Sequence, residues 1–399
     1  MPTPPIAFPP PQPAIRAMAY NGPVPEVRYR PAGDVTLLYE NNPEQITTRD
    51  LADRSLGGLS LYSEVLRPGS YRNFFEHLNR TGGDIGFTAR VSNPGTRPVE
   101  VVVGGSGVAR GLDGANAFRD ALTPTENPAR TLQLPPGARA DLLCVPHIAA
   151  AGAFFSGVVD FTVRGGEVKL DDLAFIDASN VTPDPRYMGY VRRVEPDGTR
   201  EARMYKGSSP QAEVVAENVD YTFTDADRPG TLPARHATYD LDAQAYTESR
   251  IDGEGWISNI GPAADPRGIT SDMLSFDTPG WGRIDALSPT DGTGTYPNLG
   301  NWGVLYRITG TLRNQGTSER QVEVHLRANE RSGATVAYEG PDKRWASRRL
   351  RAGETMTCRT IRVPAGQSVR YTSAYVLGGP SGGDLRQCLT LEDIPPAGR

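Results

Sequence analysis

One pattern, written twice, limits what this chain can fold into more than any other feature. The stretch "ARVSNPGTRPVEVVV", Ala89 to Val103, returns as "GTLRNQGTSERQVEVHL", Gly310 to Leu326. Around each Asn-x-Gly turn, apolar residues fall at every second position, as Val99, Val101 and Val103 do. Period-two alternation marks a half-buried β-strand, whose apolar face needs a second sheet to cover it. The pattern therefore predicts antiparallel sandwiches. Asn93-Pro94-Gly95 and Asn314-Gln315-Gly316 are expected to be hairpin turns, built from residues that tolerate left-handed backbone.

The likeness extends to both sides. Asn79 to Asn93 matches Asn298 to Asn314, Leu134 to Pro146 matches Leu350 to Pro364, and Phe155 to Gly166 matches Val369 to Gly379. Four landmarks in one order imply two copies of one domain, and 399 residues exceed what a single core usually supports. The expected fold is all-β: two duplicated, jelly-roll-like antiparallel sandwiches at 34–177 and 296–393, joined by an acidic, Gly/Pro-rich insert at 178–295. The insert is expected to supply edge strands or a small third unit, because a structureless loop of that length is improbable. The 44 glycines and 35 prolines fit turn-rich β structure. Helical pattern is confined to Asn42–Arg54 and Ala115–Leu122, both expected as short decorations between strands.

Residues 1–33 read as an extended arm, with seven prolines among the first thirteen positions, and 394–399 as a tail. The arm also carries Ile6, Phe8, Ile15, Met18 and Tyr20, apolar side chains of no use to a free linker. They predict docking on a neighbouring subunit, and hence self-association.

A net charge of -5 provides no global positive field, so nucleic acid is not an expected partner. No apolar run is long enough for a membrane-spanning helix, and the first twenty residues lack a signal-peptide layout. Cys358 and Cys388 lie in strand-like segments; they are bridged if those strands are neighbours and free thiols otherwise, while Cys144 stands alone.

Chemistry-bearing groups are sparse. Gly379-Pro380-Ser381-Gly382-Gly383 has the spacing of a nucleophile elbow, yet all four histidines precede it, the wrong chain order for that site; a Gly-rich turn is expected. Glu76 and His77 are adjacent in a strand, so they face opposite ways and cannot converge on one atom. His236 lies near Asp240 and Asp242 without zinc spacing. No cofactor is expected apart from a possible calcium ion, for which Asp225, Asp227, Asp240 and Asp242 offer hard oxygen donors; Asp-rich turns are the plainer reading. Lys343, Arg344, Trp345, Arg348 and Arg349 form a basic, Trp-bearing segment suited to an anionic polymer or a sugar ring, or else to a solvated edge strand.

"YENNPEQI", "FFEHLNRTGG", "ARVSNPGTRPVEVVV" and "GNWGVLYRITGTLRN" together resemble a family of exported proteins of cyanobacteria and other bacteria, known as a domain of unknown function. The resemblance covers residues 34–391 and implies two β lobes and a cell-surface or extracellular location. The proline arm and the tail depart from that pattern. Taken together, the expectation is a non-enzymatic structural protein of an envelope, matrix or filament. The alternatives are a polysaccharide-binding protein, with Trp256, Trp281, Trp302 or Trp345 in a flat row, and a glycoside hydrolase using paired carboxylates.

Overall fold

The computed structural model describes residues 26–51, 58–123, 129–177, 179, 181, 185–188, 206–209, 212–229, 234–237, 247–250, 257–258, 302–328, 333–380, 385–392 and 394. The first strands are β1 (Glu26–Pro31), β2 (Val35–Glu40), β3 (Gln45–Thr47), β4 (Leu59–Leu66), β5 (Gly69–Arg80), β6 (Ile85–Ser92) and β7 (Val99–Arg110). Helix α1 (Ala115–Ala121) precedes β8 (Arg130–Leu134), β9 (Arg139–Ala149), β10 (Phe154–Arg164) and β11 (Val168–Phe175). The insert supplies β12 (Arg186–Tyr187), β13 (Lys206–Ser209), β14 (Glu213–Ala216), β15 (Val219–Phe223), β16 (Ala234–Ala237), β17 (Thr247–Arg250) and β18 (Ile257–Ser258). Last come β19 (Leu305–Asn314), β20 (Arg320–Ala328), β21 (Ala334–Glu339), β22 (Trp345–Leu350), β23 (Thr355–Val363), β24 (Ser368–Gly378) and β25 (Leu385–Glu392). Among the described residues, no helix is long and apolar enough to cross a membrane.

The strands form four sheets in two sandwiches. In the first sandwich, sheet I runs β13-β2-β5-β10-β7-β8 with β3 beside β5, and sheet II runs β12-β4-β11-β6-β9. Sheet III of the second runs β17-β1-β14-β19-β24-β21-β22, with β15 joining β19 to β16, and sheet IV runs β18-β25-β20-β23. The alternation read from sequence sets the inward faces: Val99, Val101 and Val103 of β7 pack on Ala89 and Val91 of β6 across the first core.

The sheets are not purely antiparallel. β2 and β3 run parallel to β5, β12 to β4, and β14 and β15 to β19, because long connections return these strands instead of tight turns. The insert does not form a third unit in the described residues: β12 and β13 extend the first sandwich, and β14 to β18 join the second. β1, from the stretch read as an arm, is hydrogen-bonded between β14 and β17. Within the helix expected over Asn42–Arg54, the described residues to Leu51 form strand β3 and turns instead, since Gln45–Thr47 finds a partner in β5; residues 52–54 lie outside the described residues.

The Asn-x-Gly turns are not hairpins. β6 lies in sheet II and β7 in sheet I, and likewise β19 and β20 lie in sheets III and IV, so each turn carries the chain across its sandwich. The asparagine side chain does the work expected of left-handed backbone. Asn93 Nδ2 donates to the carbonyls of Arg97 and Leu134, and its Oδ1 accepts from Gly95 N. Asn314 repeats this with Ser318, Val363 and Gly316. The left-handed glycines sit opposite, at Gly137 and Gly366. Thus Leu134-Pro-Pro-Gly answers to Val363-Pro-Ala-Gly, not to the Leu350 segment that its sequence suggested. The surroundings differ too: β6 lies between antiparallel β9 and β11, whereas β19 lies between antiparallel β24 and parallel β14 and β15.

The two sandwiches share one apolar interior. Leu37, Tyr39, Phe74 and Val158 from the outer face of sheet I join α1 and the second sandwich in a single cluster. β5 is therefore covered on both faces: Phe74 stacks on Tyr39 at 4.7 Å on one side, and Phe75 stacks on Phe87 at 4.0 Å on the other. Each such ring, fully buried, stabilises the fold by about 1.5–3 kcal/mol. Gly105 and Gly107 of β7 admit the helix backbone, since a Cβ there would stand 1.8 Å from Ala121 O and 2.1 Å from Ala117 O.

Candidate functional site

Helix α1 and the edge strand β22 are the two walls of an open cleft of about 1230 Å³ at the junction of the sandwiches. Four arginines, Arg119, Arg348, Arg349 and Arg351, line it against two carboxylates, Asp113 and Glu354. Glu354 is already engaged, accepting from Arg348 Nη2 at 2.8 Å and from Arg351 N at 2.8 Å. Arg119 pairs with its neighbour Asp120 and also donates to Asn116 Oδ1 at 3.2 Å. Ser347 closes the floor by donating to Asn116. The exposed side chains of Arg349 and Arg351 make no ion pair among the described residues, so two guanidinium groups stand free at the rim. Guanidinium recognises carboxylate, sulfate or phosphate by paired hydrogen bonds, so the cleft suits an anion.

Of the basic segment singled out in the sequence, Arg348 and Arg349 reach this cleft. Lys343 and Arg344 do not: they occupy the exposed turn at the far end of the β21–β22 hairpin, where Arg344 lies 3.6 Å from Asp342. The Trp345 ring is half-buried against the shared core, which removes most of it from use as a stacking platform. Trp302 is also buried, while Trp256 and Trp281 lie outside the described residues, so no tryptophan row is seen among those described. The edge-strand reading also holds, for β22 ends sheet III. Sequence reasoning missed Asn116 and Arg119, having taken α1 for a decoration. The signal was present in Gly104-Gly105-Ser106-Gly107, since glycines within a strand mark close approach of another backbone.

Glu76 and His77 point to opposite faces, as their adjacency required. His77 is fully buried in the first sandwich, with Nε2 2.7 Å from Glu40 Oε1 and Nδ1 2.7 Å from Pro43 O. Glu76 faces the second sandwich and accepts from Tyr39 Oη at 2.8 Å and Asn41 Nδ2 at 3.4 Å. Its Oε2 has no hydrogen-bond partner among the described residues and abuts Gly379. Burial pushes this carboxyl up to about 7. Gly379, the first residue of the elbow-like motif, is therefore a contact between sandwiches; Ser381 lies outside the described residues.

The acidic turn residues hold loops. Asp225 accepts from Thr317 N, Thr317 Oγ1 and Ser318 Oγ at 2.7, 2.8 and 2.9 Å, and these bonds lower its carboxyl to about 2. Asp227 accepts from Thr224 N at 2.7 Å. Asp240 and Asp242 lie outside the described residues, as do Ile6, Phe8, Ile15, Met18 and Tyr20 of the arm. Cys358 is a free, buried thiol donating to Val324 O, and burial raises it to about 12. It does not bridge Cys388, because β23 and β25 flank β20 rather than pair, which sets them roughly 9–10 Å apart. Cys144 is also free, and it is exposed.

No family model and no curated protein matches the chain. Among solved structures it is similar to the N-terminal CBM22-1-CBM22-2 tandem domain of Paenibacillus barcinonensis Xyn10C, at 8% identity over 79% of this chain and 72% of that one, TM-score 0.13. It is also similar to the CUB1-EGF-CUB2 domain of human MASP-1/3, at 10% identity over 82% and 99%, TM-score 0.15. Oxalate decarboxylase from Bacillus subtilis matches at 11% identity over 87% and 70%, TM-score 0.12. Scores this low carry no argument about function.

Proposed function

We propose that the protein is a non-enzymatic binding protein whose cleft takes a segment of an anionic polysaccharide. The observation that carries this reading is the pair of free guanidinium groups, Arg349 and Arg351, on the rim of a cleft that Arg119 and Arg348 also line. The cleft exceeds the ~300–1000 Å³ of pockets that enclose a small ligand, and it is open, which favours a length of chain over a single small anion. A cell-surface role, with copies tied together by the proline-rich arm, is part of this proposal; its only footing is the arm's composition, since β1 at the arm's root pairs within its own chain.

The test is isothermal calorimetry with polygalacturonate, using neutral dextran as control. Binding of polygalacturonate alone, weakened at least tenfold by combined R349A and R351A and falling with added salt, is the expected result. Equal binding of dextran, or binding indifferent to the two substitutions, would remove the cleft from the reading. Release of new reducing ends during incubation would overturn its non-enzymatic part.

A further inference from the structure

A second site lies on the outer face of sheet IV, away from the cleft. Val322, Val324 and Leu326 of β20 point into the core, so Glu323 and His325 point out, and Glu392 of β25 joins them from the neighbouring strand. The pairing of β20 with β23 shifts between Val324 and His325, and such irregularities re-aim a side chain. One nitrogen of His325 and one oxygen each of Glu323 and Glu392 lie within 4.8 Å of one another. His325 Nε2 is 3.9 Å from Glu323 Oε2.

Two threonines frame the group. Thr390 Oγ1 donates to Glu392 Oε1 at 2.9 Å and lies 2.8 Å from His325 Nε2. Thr357 Oγ1 lies 3.0 Å from His325 Nδ1 and 3.3 Å from Glu323 Oε2. Because Thr390 donates to Glu392, it accepts from Nε2–H of His325; for Nε2 to bind an ion the ring proton must sit on Nδ1 instead, where His325 donates to Thr357 and Thr357 donates to Glu323. This is the arrangement that fixes the tautomer of a metal-binding histidine and orients the ligand beside it. His325 is buried, while both carboxylates are only half-buried, so an ion would enter from the solvent side.

We infer that Glu323, His325 and Glu392 form a binding site for a first-row divalent cation, zinc or manganese. An imidazole with two carboxylates is a borderline donor set that suits these ions better than calcium. Metal–ligand bonds of about 2.0–2.2 Å place adjacent donors roughly 3–3.5 Å apart, so the 3.9 Å between His325 Nε2 and Glu323 Oε2 must close by about half an ångström, and separations of up to 4.8 Å in the group by about an ångström or more. Side-chain rotation of the two half-buried glutamates supplies that, as Nε2 exchanges Thr390 for the ion.

The experiment is calorimetric titration of the full chain, stripped with EDTA, with zinc chloride and separately with manganese chloride. One saturable site per chain is expected, weakened at least tenfold by each of E323Q, H325Q and E392Q and several-fold by T357V, with H147Q unchanged. Absence of saturable binding by the stripped wild type, or affinity that survives both E323Q and E392Q, would overturn the assignment. The half-exposed glutamates keep the test decisive if H325Q fails to fold. Polygalacturonate binding at the cleft is read separately, so either proposal can fail without the other.

Discussion

Replacing Glu76 by Gln isolates the contact between the sandwiches. The carboxyl is enclosed by Tyr39, Asn41 and the backbone of Gly379, and burial raises it from 4.5 to about 7; nearby Glu44 adds to the rise, while Tyr39, His77 and Asn41 oppose it. A raised carboxyl means that the folded chain holds its proton more tightly than the unfolded chain. The stabilisation from this protonated group is complete below about 4.5 and is lost as pH rises through about 7. A difference of about 2.5 units corresponds to roughly 3 kcal/mol, at 1.36 kcal/mol per unit. Glutamine keeps the oxygen that accepts from Tyr39 and never ionises. Urea unfolding of wild type and E76Q, compared at pH 4.5, 6, 7 and 8.5, should therefore show a difference that grows in favour of E76Q by up to about 3 kcal/mol across this range. The difference is the quantity to read, because His325, lowered by burial to about 4, makes stability fall in acid and cancels between the two proteins. A flat difference curve, or one that moves the other way, would refute the placement of a protonated Glu76 in this interface.

Other outcomes follow from the same geometry. N93A and N314A each remove a side chain making three hydrogen bonds at a corner, and each should lower stability by about 2–3 kcal/mol in urea unfolding, alike in the two sandwiches. G107A puts a Cβ 2.1 Å from Ala117 O, so it should lower the melting temperature and, by displacing α1, weaken polygalacturonate binding as well. Under native, non-reducing conditions, Cys144 should react with a thiol reagent, while Cys358 stays silent until the chain unfolds and is then found as a free thiol by peptide mapping.

Local pattern made part of this legible. The valines of β7 declare their buried face, and the adjacency of Glu76 and His77 declares that they part company; both follow from a period that needs no knowledge of neighbours. Sheet membership is not local. Nothing in Asn93-Pro-Gly distinguishes a hairpin from a crossing between sheets, because that depends on β9 and β10, which arrive later in the chain. β5 is legible as a strand, but its burial is not: covered on both faces, it reads "NFFEHLN" without alternation, and nothing local says that a second sandwich covers the Glu76 face. The cleft combines α1 with a hairpin more than two hundred residues away, so sequence could expose the arginines of β22 but not the wall that faces them.

Glycine joins these observations. Gly378, the last residue of β24, and Gly379 just after it lie beneath the start of α1 and against Glu76: a Cβ on Gly378 would meet Ala115 N at 2.4 Å, and one on Gly379 would fall 1.0 Å from Glu76 Oε2. Gly105 and Gly107 hold the other side of the helix equally close. Around α1 the contacts of Gly105, Gly107 and Gly378 are therefore backbone to backbone, while Gly379 meets the Glu76 side chain. The helix carrying Asn116 and Arg119 thus lies between the Glu76 contact and the cleft. The shared core makes the same demand energetically, since parting the sandwiches would expose Leu37, Tyr39, Phe74 and Phe118 at once. The two halves that the sequence suggests as separate domains therefore share the burial free energy of these side chains, which neither half keeps alone.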